Sequence, residues 1–331
     1  MSKPGVPKIT PLSMRTQNAS SAPSDPPIYP QPSSLQPANS PYQAIHRSPD
    51  SSYNPQSAPR YDYSRSTYDQ RPGYQSVPRL PTASYAGLSN PASYCYINSV
   101  LQCLARTEGF GETFRQWPNV SFQLNPTSKY KGRLAWEFSQ LVQALTGGAR
   151  VAEARGVVAA LGAPVFNGFT QQDAHEFLRL FLDALSEETS ALVTEHFQGS
   201  LQTQAHCMKC GTLATARDRF LDLSLPLPSI ARVSLEDCLE LFTQTTETPD
   251  FVCETCGSAG SRVKTSLITG PHILVLHLKR FLSMAGRSAK IHTPVDLPSE
   301  LLLNRYGCQG RYRLTASVHH SGEAGGGHYT A

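Results

Sequence analysis

The stretch NPASYCYINSVLQCL, residues 90–104, sets one thiol, Cys95, between two tyrosines where a turn gives way to a helical pattern. Ile97, Val100, Leu101 and Leu104 recur at the three- and four-residue spacing of a buried helix face. Asn90, Pro91 and the small residues after them favour a turn. A thiol in the first turn of a helix lies at the positive end of the backbone dipole, which favours thiolate over thiol. Cys95 is therefore a candidate nucleophile, against the plainer reading of a small apolar residue filling a core.

Four further cysteines fall in two matched knuckles, Cys207/Cys210 in CMKCG and Cys253/Cys256 in CETCG. Each spacing lets two sulfurs from one tight turn reach the same ion, and the glycine that follows relaxes the turn. Four thiolates make the tetrahedral set that zinc takes in closed structural sites, and they leave no open position for metal-assisted hydrolysis. Unrelated surface turns or a redox CxxC are the bland readings, but a redox pair needs no duplicate. The 42 residues between the knuckles exceed the spacing of a compact ribbon, so the knuckles must sit on separate hairpins that meet in space.

Among ten histidines, His328 stands out in GEAGGGHYTA, because three glycines in a strand-like run cost rigidity unless something must approach closely. His319 and His320 adjoin it and compete for any catalytic role. A cysteine at a helix start paired with a distant histidine is the arrangement of a thiol protease.

The elements that must hold these residues are legible in outline. GRLAWEFSQLVQALT, 132–146, predicts a helix with Leu134, Phe138, Leu141, Val142 and Leu145 on its buried face. TQQDAHEFLRLFLDALSE, 170–187, predicts another, with Thr170 as N-cap, Asp173 in the first turn, and Phe177, Leu178, Phe181, Leu182 and Leu185 facing inward. Beyond residue 195 the chain turns to short β runs: FLDLSLPLP (220–228), HILVLHLKRF (272–281) and RYRLTASVHH (311–320). Helices first and strands after give an α+β class.

Composition divides the chain. Residues 1–85 hold 16 of the 26 prolines and 8 of the 14 tyrosines without apolar periodicity, which predicts a disordered tail. Their eight basic and four acidic residues account for the whole net charge of +4, and residues 86–331 balance at 21 and 21. A neutral body argues against a nucleic-acid-binding domain, and no stretch reads as a membrane span or secretory signal. The expected setting is soluble, cytoplasmic or nuclear, with the eight cysteines as thiols or ligands rather than disulfides. In the tail, Pro26, Pro27 and Tyr29 form a PPxY pattern of the kind WW domains accept.

Taken together the blocks resemble the ubiquitin-specific proteases, papain-like cysteine peptidases that remove ubiquitin. GLSNPASYCYINSVLQCL (87–104) resembles their cysteine box and TQQDAHEFL (170–178) their Gln-acidic motif. CMKC and CETC resemble their finger zinc ribbon, HILVLHLKRF their palm strand, and GGGHYTA (325–331) the start of their histidine box. The resemblance covers 86–331 and implies a helical thumb, an antiparallel β palm and zinc-bearing fingers at roughly 198–265. It implies Cys95 as nucleophile, His328 as its base and Asn90 as oxyanion-hole amide. Gln172, Asp173 and Tyr329 become substrate-binding residues, Asp173 receiving the arginine-rich tail of ubiquitin. The implied activity is hydrolysis of the (iso)peptide bond after ubiquitin's C-terminal glycine.

Two departures accompany the resemblance. Ala92, Ser93 and Tyr94 stand where the family has Gly-Asn-Thr, which stiffens and crowds the turn before the nucleophile. The sequence also ends three residues past His328, before the strand that carries the family's third triad residue, an Asp or Asn. On that basis the expectation is a truncated gene model or splice form. The alternative function is a catalytically silent module that grips ubiquitin without cutting.

Overall fold

A computed structural model describes residues 86–331 apart from 190, 285 and 286. The proline-rich segment, with Pro26, Pro27 and Tyr29, lies outside the described residues. The helical part runs β1 (Gly87–Leu88), α1 (Cys95–Arg106), α2 (Phe110–Arg115), α3 (Trp117–Ser121), α4 (Arg133–Thr146), β2 (Val151–Ala152), α5 (Arg155–Leu161), α6 (Ala174–Glu188) and α7 (Leu192–Phe197). It is followed by β3 (Gly199–Cys207), β4 (Leu213–Phe220), β5 (Leu223–Leu225), β6 (Val233–Ser234), α8 (Leu235–Thr243), β7 (Thr246–Val252) and β8 (Ala259–Thr269). The chain then forms β9 (Leu276–Leu278), β10 (Phe281–Met284), β11 (Arg287–Lys290), β12 (Val295–Asp296), β13 (Glu300–Leu302), β14 (Arg311–Arg313), β15 (His319–Glu323) and β16 (Gly326–Thr330).

Helical periodicity builds the thumb. Ile97, Val100, Leu101 and Leu104 of α1 and all five expected residues of α4 are buried in one core with Phe177, Phe181, Leu182 and Leu185 of α6. Aromatic rings fill its centre: Phe110 meets Phe197 edge-on at 4.9 Å, and Phe138 meets Phe114 at 4.8 Å and Phe181 at 5.1 Å. Such pairs each add about 0.5–1.5 kcal/mol beyond the area they bury.

Two helix starts are capped from unexpected places. Asp173, not Thr170, is the N-cap of α6, its carboxylate accepting from the N–H groups of His175 (2.7 Å) and Glu176 (3.1 Å). Asp173 holds the extended backbone a cap needs, so the helix begins at Ala174, later than predicted. The N-cap of α4 is Gly132, which has no side chain to offer. Glu188, fully buried at the end of α6, fills that role across the core by accepting from Ala135 N–H at 2.6 Å.

A four-stranded antiparallel sheet, β4–β3–β8–β7, forms the fingers. The palm is assembled from two-stranded pieces. β10–β11, β13–β14 and β15–β16 are antiparallel, whereas β5–β9 and β12–β6 run parallel. A second core of Leu223, Leu225, Val233, Leu239, Leu267, Leu301, Leu303 and Tyr306 lies beneath these pieces with Cys238 and Cys308. The palm strands are shorter than their apolar runs because their backbone groups find other partners. Ile273 N–H donates to the His196 carbonyl at the end of α7, so only 276–278 of the 272–281 run pair as β9. RYRLTASVHH divides between β14 and β15, and FLDLSLPLP divides between the last residue of β4, Phe220, and β5.

Candidate active site

Cys95 is the first residue of α1 and is 6% exposed. The first intrahelical bond is Asn98 N–H to Tyr94 C=O at 2.8 Å, so the N–H groups before it face out of the helix end beside the thiol. The approach to this end is tied down along its length. β1 pairs in parallel with β2, Ser89 N–H donates to Ala152 C=O, and Asn98 Nδ2 donates to Ser89 C=O at 3.0 Å. Asn90 Oδ1 accepts from Tyr94 N–H at 2.9 Å. Its carbonyl oxygen is thereby committed, and its Nδ2 is the end left to donate elsewhere.

The bulk of Tyr94 is accommodated by a glycine. Ser93 N–H donates to Gly168 C=O at 2.7 Å, and a Cβ on Gly168 would lie 2.0 Å from the Tyr94 ring. Gly168 also holds φ +79°, so both its backbone and its missing side chain suit the ring above it.

His328 lies on β16, and β16 packs against α1. The hairpin register sets Ser321 opposite His328 and His320 opposite Tyr329. His328 is exposed. Its two rivals are engaged elsewhere. His319 Nε2 lies 2.8 Å from Ser317 Oγ. His320 Nδ1 accepts from Lys290 Nζ at 2.8 Å, and its ring sits between Phe281 and Tyr329. The glycine run serves close approach at one position: a Cβ on Gly327 would sit 2.2 Å from Ser321 O.

Asp173 and Tyr329 meet beside this hairpin. Burial, with the Asp173 carboxylate alongside, pushes the Tyr329 phenol up to about 12. Gln172 turns to its own loop, donating to Thr170 Oγ1 at 3.1 Å. Its neighbour Gln171, which the sequence reading passed over, spans to the histidine strand. Gln171 Nε2 donates to Gly327 C=O and Gly327 N–H donates to Gln171 Oε1, both at 2.9 Å.

Behind Asp173 lies a half-buried polar network that the sequence did not reveal. His175 Nε2 is 2.7 Å from Asp222 Oδ2, and Arg179 approaches the other oxygen at 3.6 Å. His175 stacks on His277 at 3.7 Å, and His277 Nδ1 meets Ser224 Oγ at 3.0 Å. Burial alone would raise the Asp222 carboxyl, but the hydrogen bond and charge of His175, with Arg179, hold it below the ordinary value. Burial, then the charge of His175, lowers His277 to about 4, so it is neutral at physiological pH. The network ties α6 to the β5–β9 pair.

At the fingertips the knuckles do meet from separate hairpins. Cys207 and Cys210 lie at the β3–β4 turn, and Cys253 and Cys256 at the β7–β8 turn. Gly211 and Gly257 hold φ +72° and +67°, the left-handed backbone the turns require. Cys207 Sγ is 3.7 Å from Cys256 Sγ, Cys210 Sγ is 3.6 Å from Cys253 Sγ, and all four sulfurs lie within 4.8 Å of one another. Hydrogen bonds from the Thr212 hydroxyl and N–H lower the Cys210 thiol to about 6.

A helical thumb, a β palm and cysteine-tipped fingers, with a helix-start thiol under a histidine strand, define the papain-like thumb–palm–fingers class. The chain belongs to the ubiquitin carboxyl-terminal hydrolase family, whose sequence model matches residues 86–331. It is 31% identical over 299 residues to Ubiquitin carboxyl-terminal hydrolase 2 of Rattus norvegicus, an alignment covering 74% of this chain and 48% of that protein. With Ubiquitin carboxyl-terminal hydrolase 3 of Homo sapiens the identity is 32% over 315 residues, covering 74% and 61%. A solved structure of the SAGA Ubp8/Sgf11/Sus1/Sgf73 DUB module bound to ubiquitin aldehyde superposes with a TM-score of 0.65 at 26% identity, covering 75% of this chain and 61% of that one. The match spans 30% of Usp2 of Drosophila melanogaster, so the relatives extend well beyond the shared segment.

Proposed function

We propose that the protein is a thiol-dependent deubiquitinase that hydrolyses the (iso)peptide bond after the C-terminal glycine of ubiquitin. The observation that carries this reading is the packing of β16, with His328, against the helix that begins at Cys95. His328 takes the Cys95 proton as the sulfur attacks the glycine carbonyl, and the carbonyl oxygen becomes an oxyanion. Asn90, held by its Oδ1 through Tyr94 N–H, presents its Nδ2 to that oxygen, a contact worth about 3 to 4 kcal/mol in such sites. Collapse breaks the C–N bond, and His328 returns the proton to the departing amine. Water, deprotonated by His328, then hydrolyses the thioester and restores the thiol.

Asp173 and Tyr329 are assigned to the ubiquitin tail: Asp173 pairs with an arginine by a charge-assisted hydrogen bond, and Tyr329 walls the channel for the Gly-Gly end. Gln172 is assigned to the same channel from the family pattern. The four fingertip sulfurs fit zinc. A zinc–sulfur bond of about 2.3 Å in a tetrahedron sets sulfurs about 3.8 Å apart, close to the 3.6 and 3.7 Å separations of the two cross-hairpin pairs. Cys207, Cys210, Cys253 and Cys256 would hold the ion, which supplies a crosslink between two hairpins and no chemistry at Cys95.

Pro26, Pro27 and Tyr29 are assigned to WW-domain partners, which would recruit the hydrolase to substrates. Among the described residues no helix is long and apolar enough to cross a membrane. The number of free thiols fits the cytoplasm or nucleus. Hydrolysis of a fluorogenic ubiquitin C-terminal amide tests the proposal. Turnover by the wild-type chain that is lost in Cys95→Ala is the expected result, and tight ubiquitin binding without turnover would point to the silent module instead.

A further inference from the structure

We propose that Gln171 is a positioning residue for His328, acting through the backbone of Gly327; the proposal rests on the reading of Cys95 and His328 as a thiol–imidazole pair. His328 sits on a strand with little stiffness of its own, since Gly325, Gly326 and Gly327 precede it. The β15 ladder holds one edge of β16. The N–H and C=O of Gly327 both point away from that ladder, and the amide of Gln171 satisfies the two at once, each at 2.9 Å. Two bonds from one planar amide fix the direction of the strand as well as its distance, as one isolated bond does not.

The clamp has a backstop on its far side. A Cβ at Gly327 would lie 2.4 Å from His320 Nε2, so Gly327 is seated against that ring. His320 is in turn held by Lys290, whose Nζ bonds its Nδ1, its own C=O and the Gly322 C=O, each at 2.8 Å. Tyr329, on the other side of His328, lies beside Asp173 and packs on the His320 ring at 4.6 Å. The neighbour before the histidine is thus held from Gln171, on the lead-in to α6. Gln171 is itself exposed and buries little apolar surface, so its removal should cost the fold little while freeing the strand.

The test compares wild-type, Gln171→Ala, Gln171→Glu and His328→Ala chains of 331 residues. Site-resolved iodoacetamide alkylation of Cys95 is followed against pH, with kcat and KM for the ubiquitin C-terminal amide. Displacing a catalytic group by an ångström costs up to about 100-fold. Gln171→Ala should therefore lower kcat and neutral-pH alkylation by roughly 10- to 100-fold and leave KM within about twofold. Its alkylation profile should move toward that of His328→Ala. Gln171→Glu keeps the acceptor for Gly327 N–H but turns a carboxylate oxygen on the Gly327 carbonyl, so it should fall between; it also carries the test if the alanine variant folds poorly. A wild-type profile in Gln171→Ala and Gln171→Glu, or a loss confined to KM, overturns the proposal. A wild-type profile in His328→Ala overturns the thiol–imidazole pair, and the proposal with it.

Discussion

Asp173 is assigned two tasks that one substitution can separate. Its carboxylate caps α6 through two N–H groups, at 2.7 and 3.1 Å, and its negative charge is the proposed receptor for an arginine of the ubiquitin tail. Asparagine keeps an acceptor for the cap and loses the charge, whereas alanine loses both. Removing an N-cap acceptor costs about 1 kcal/mol, within a range of about 0.5–2. For a domain of this size that is a fall in Tm of about 2–4 °C. Losing the charge–dipole contact alone costs about 0.3–1 kcal/mol, so Asp173→Asn should melt close to wild type. A charge-assisted hydrogen bond to a partner is worth about 1.5–3 kcal/mol, so both variants should bind ubiquitin roughly 10- to 100-fold more weakly. Thermal melts and calorimetric titration of monoubiquitin on the same preparations read the two effects independently. Asp173→Asn melting as low as Asp173→Ala would refute the capping argument. Asp173→Asn binding ubiquitin as tightly as wild type would refute the charge role.

Glu188→Ala strands the buried Ala135 N–H and should cost about 1–3 kcal/mol in a chemical denaturation at pH 7. Burial raises the Glu188 carboxyl above its ordinary 4.5 in the folded state. The native state then binds more protons than the unfolded one above that value, so this group's contribution to stability falls as pH rises through the window. The variant should lose that slope, and an identical slope in both proteins would count against the buried charge. Elemental analysis of protein purified without chelators should find about one zinc per chain, and Cys256→Ser should lower it and loosen the fingers; metal-free wild type would exclude the zinc site. Tyr29→Ala should abolish retention on a WW-domain array and leave turnover of the ubiquitin amide unchanged. Equal retention of both chains would remove the WW assignment.

What the sequence disclosed follows from where the determining contacts lie along the chain. α1, α4 and α6 were legible because each buries one face, and periodicity records that face directly. The fingertips were legible because a CxxCG turn encodes its own geometry, down to the left-handed glycines 211 and 257. The start of α6 was misplaced because Thr170 and Asp173 are both good caps, and only the backbone angles decide between them. Palm strands were overextended because an apolar run does not say that the Ile273 N–H will turn to His196. Nothing local marks Glu188 as a cap, since its partner at the start of α4 is 53 residues away. Gln171 was invisible for the same reason: its partner lies 156 residues downstream, and its neighbour Gln172 has the same side chain. Cys95 and His328 were singled out by pattern as candidates, but the pairing of β16 with β15 and its packing on α1 are visible only in the fold.

The most direct measurement is to incubate the wild-type chain with a ubiquitin bearing a C-terminal electrophile and to map the adduct by mass spectrometry. An adduct confined to Cys95, lost in Cys95→Ala and slowed in His328→Ala, is the predicted result. An adduct on Cys103 or any other thiol, or labelling that persists undiminished in Cys95→Ala, would contradict it.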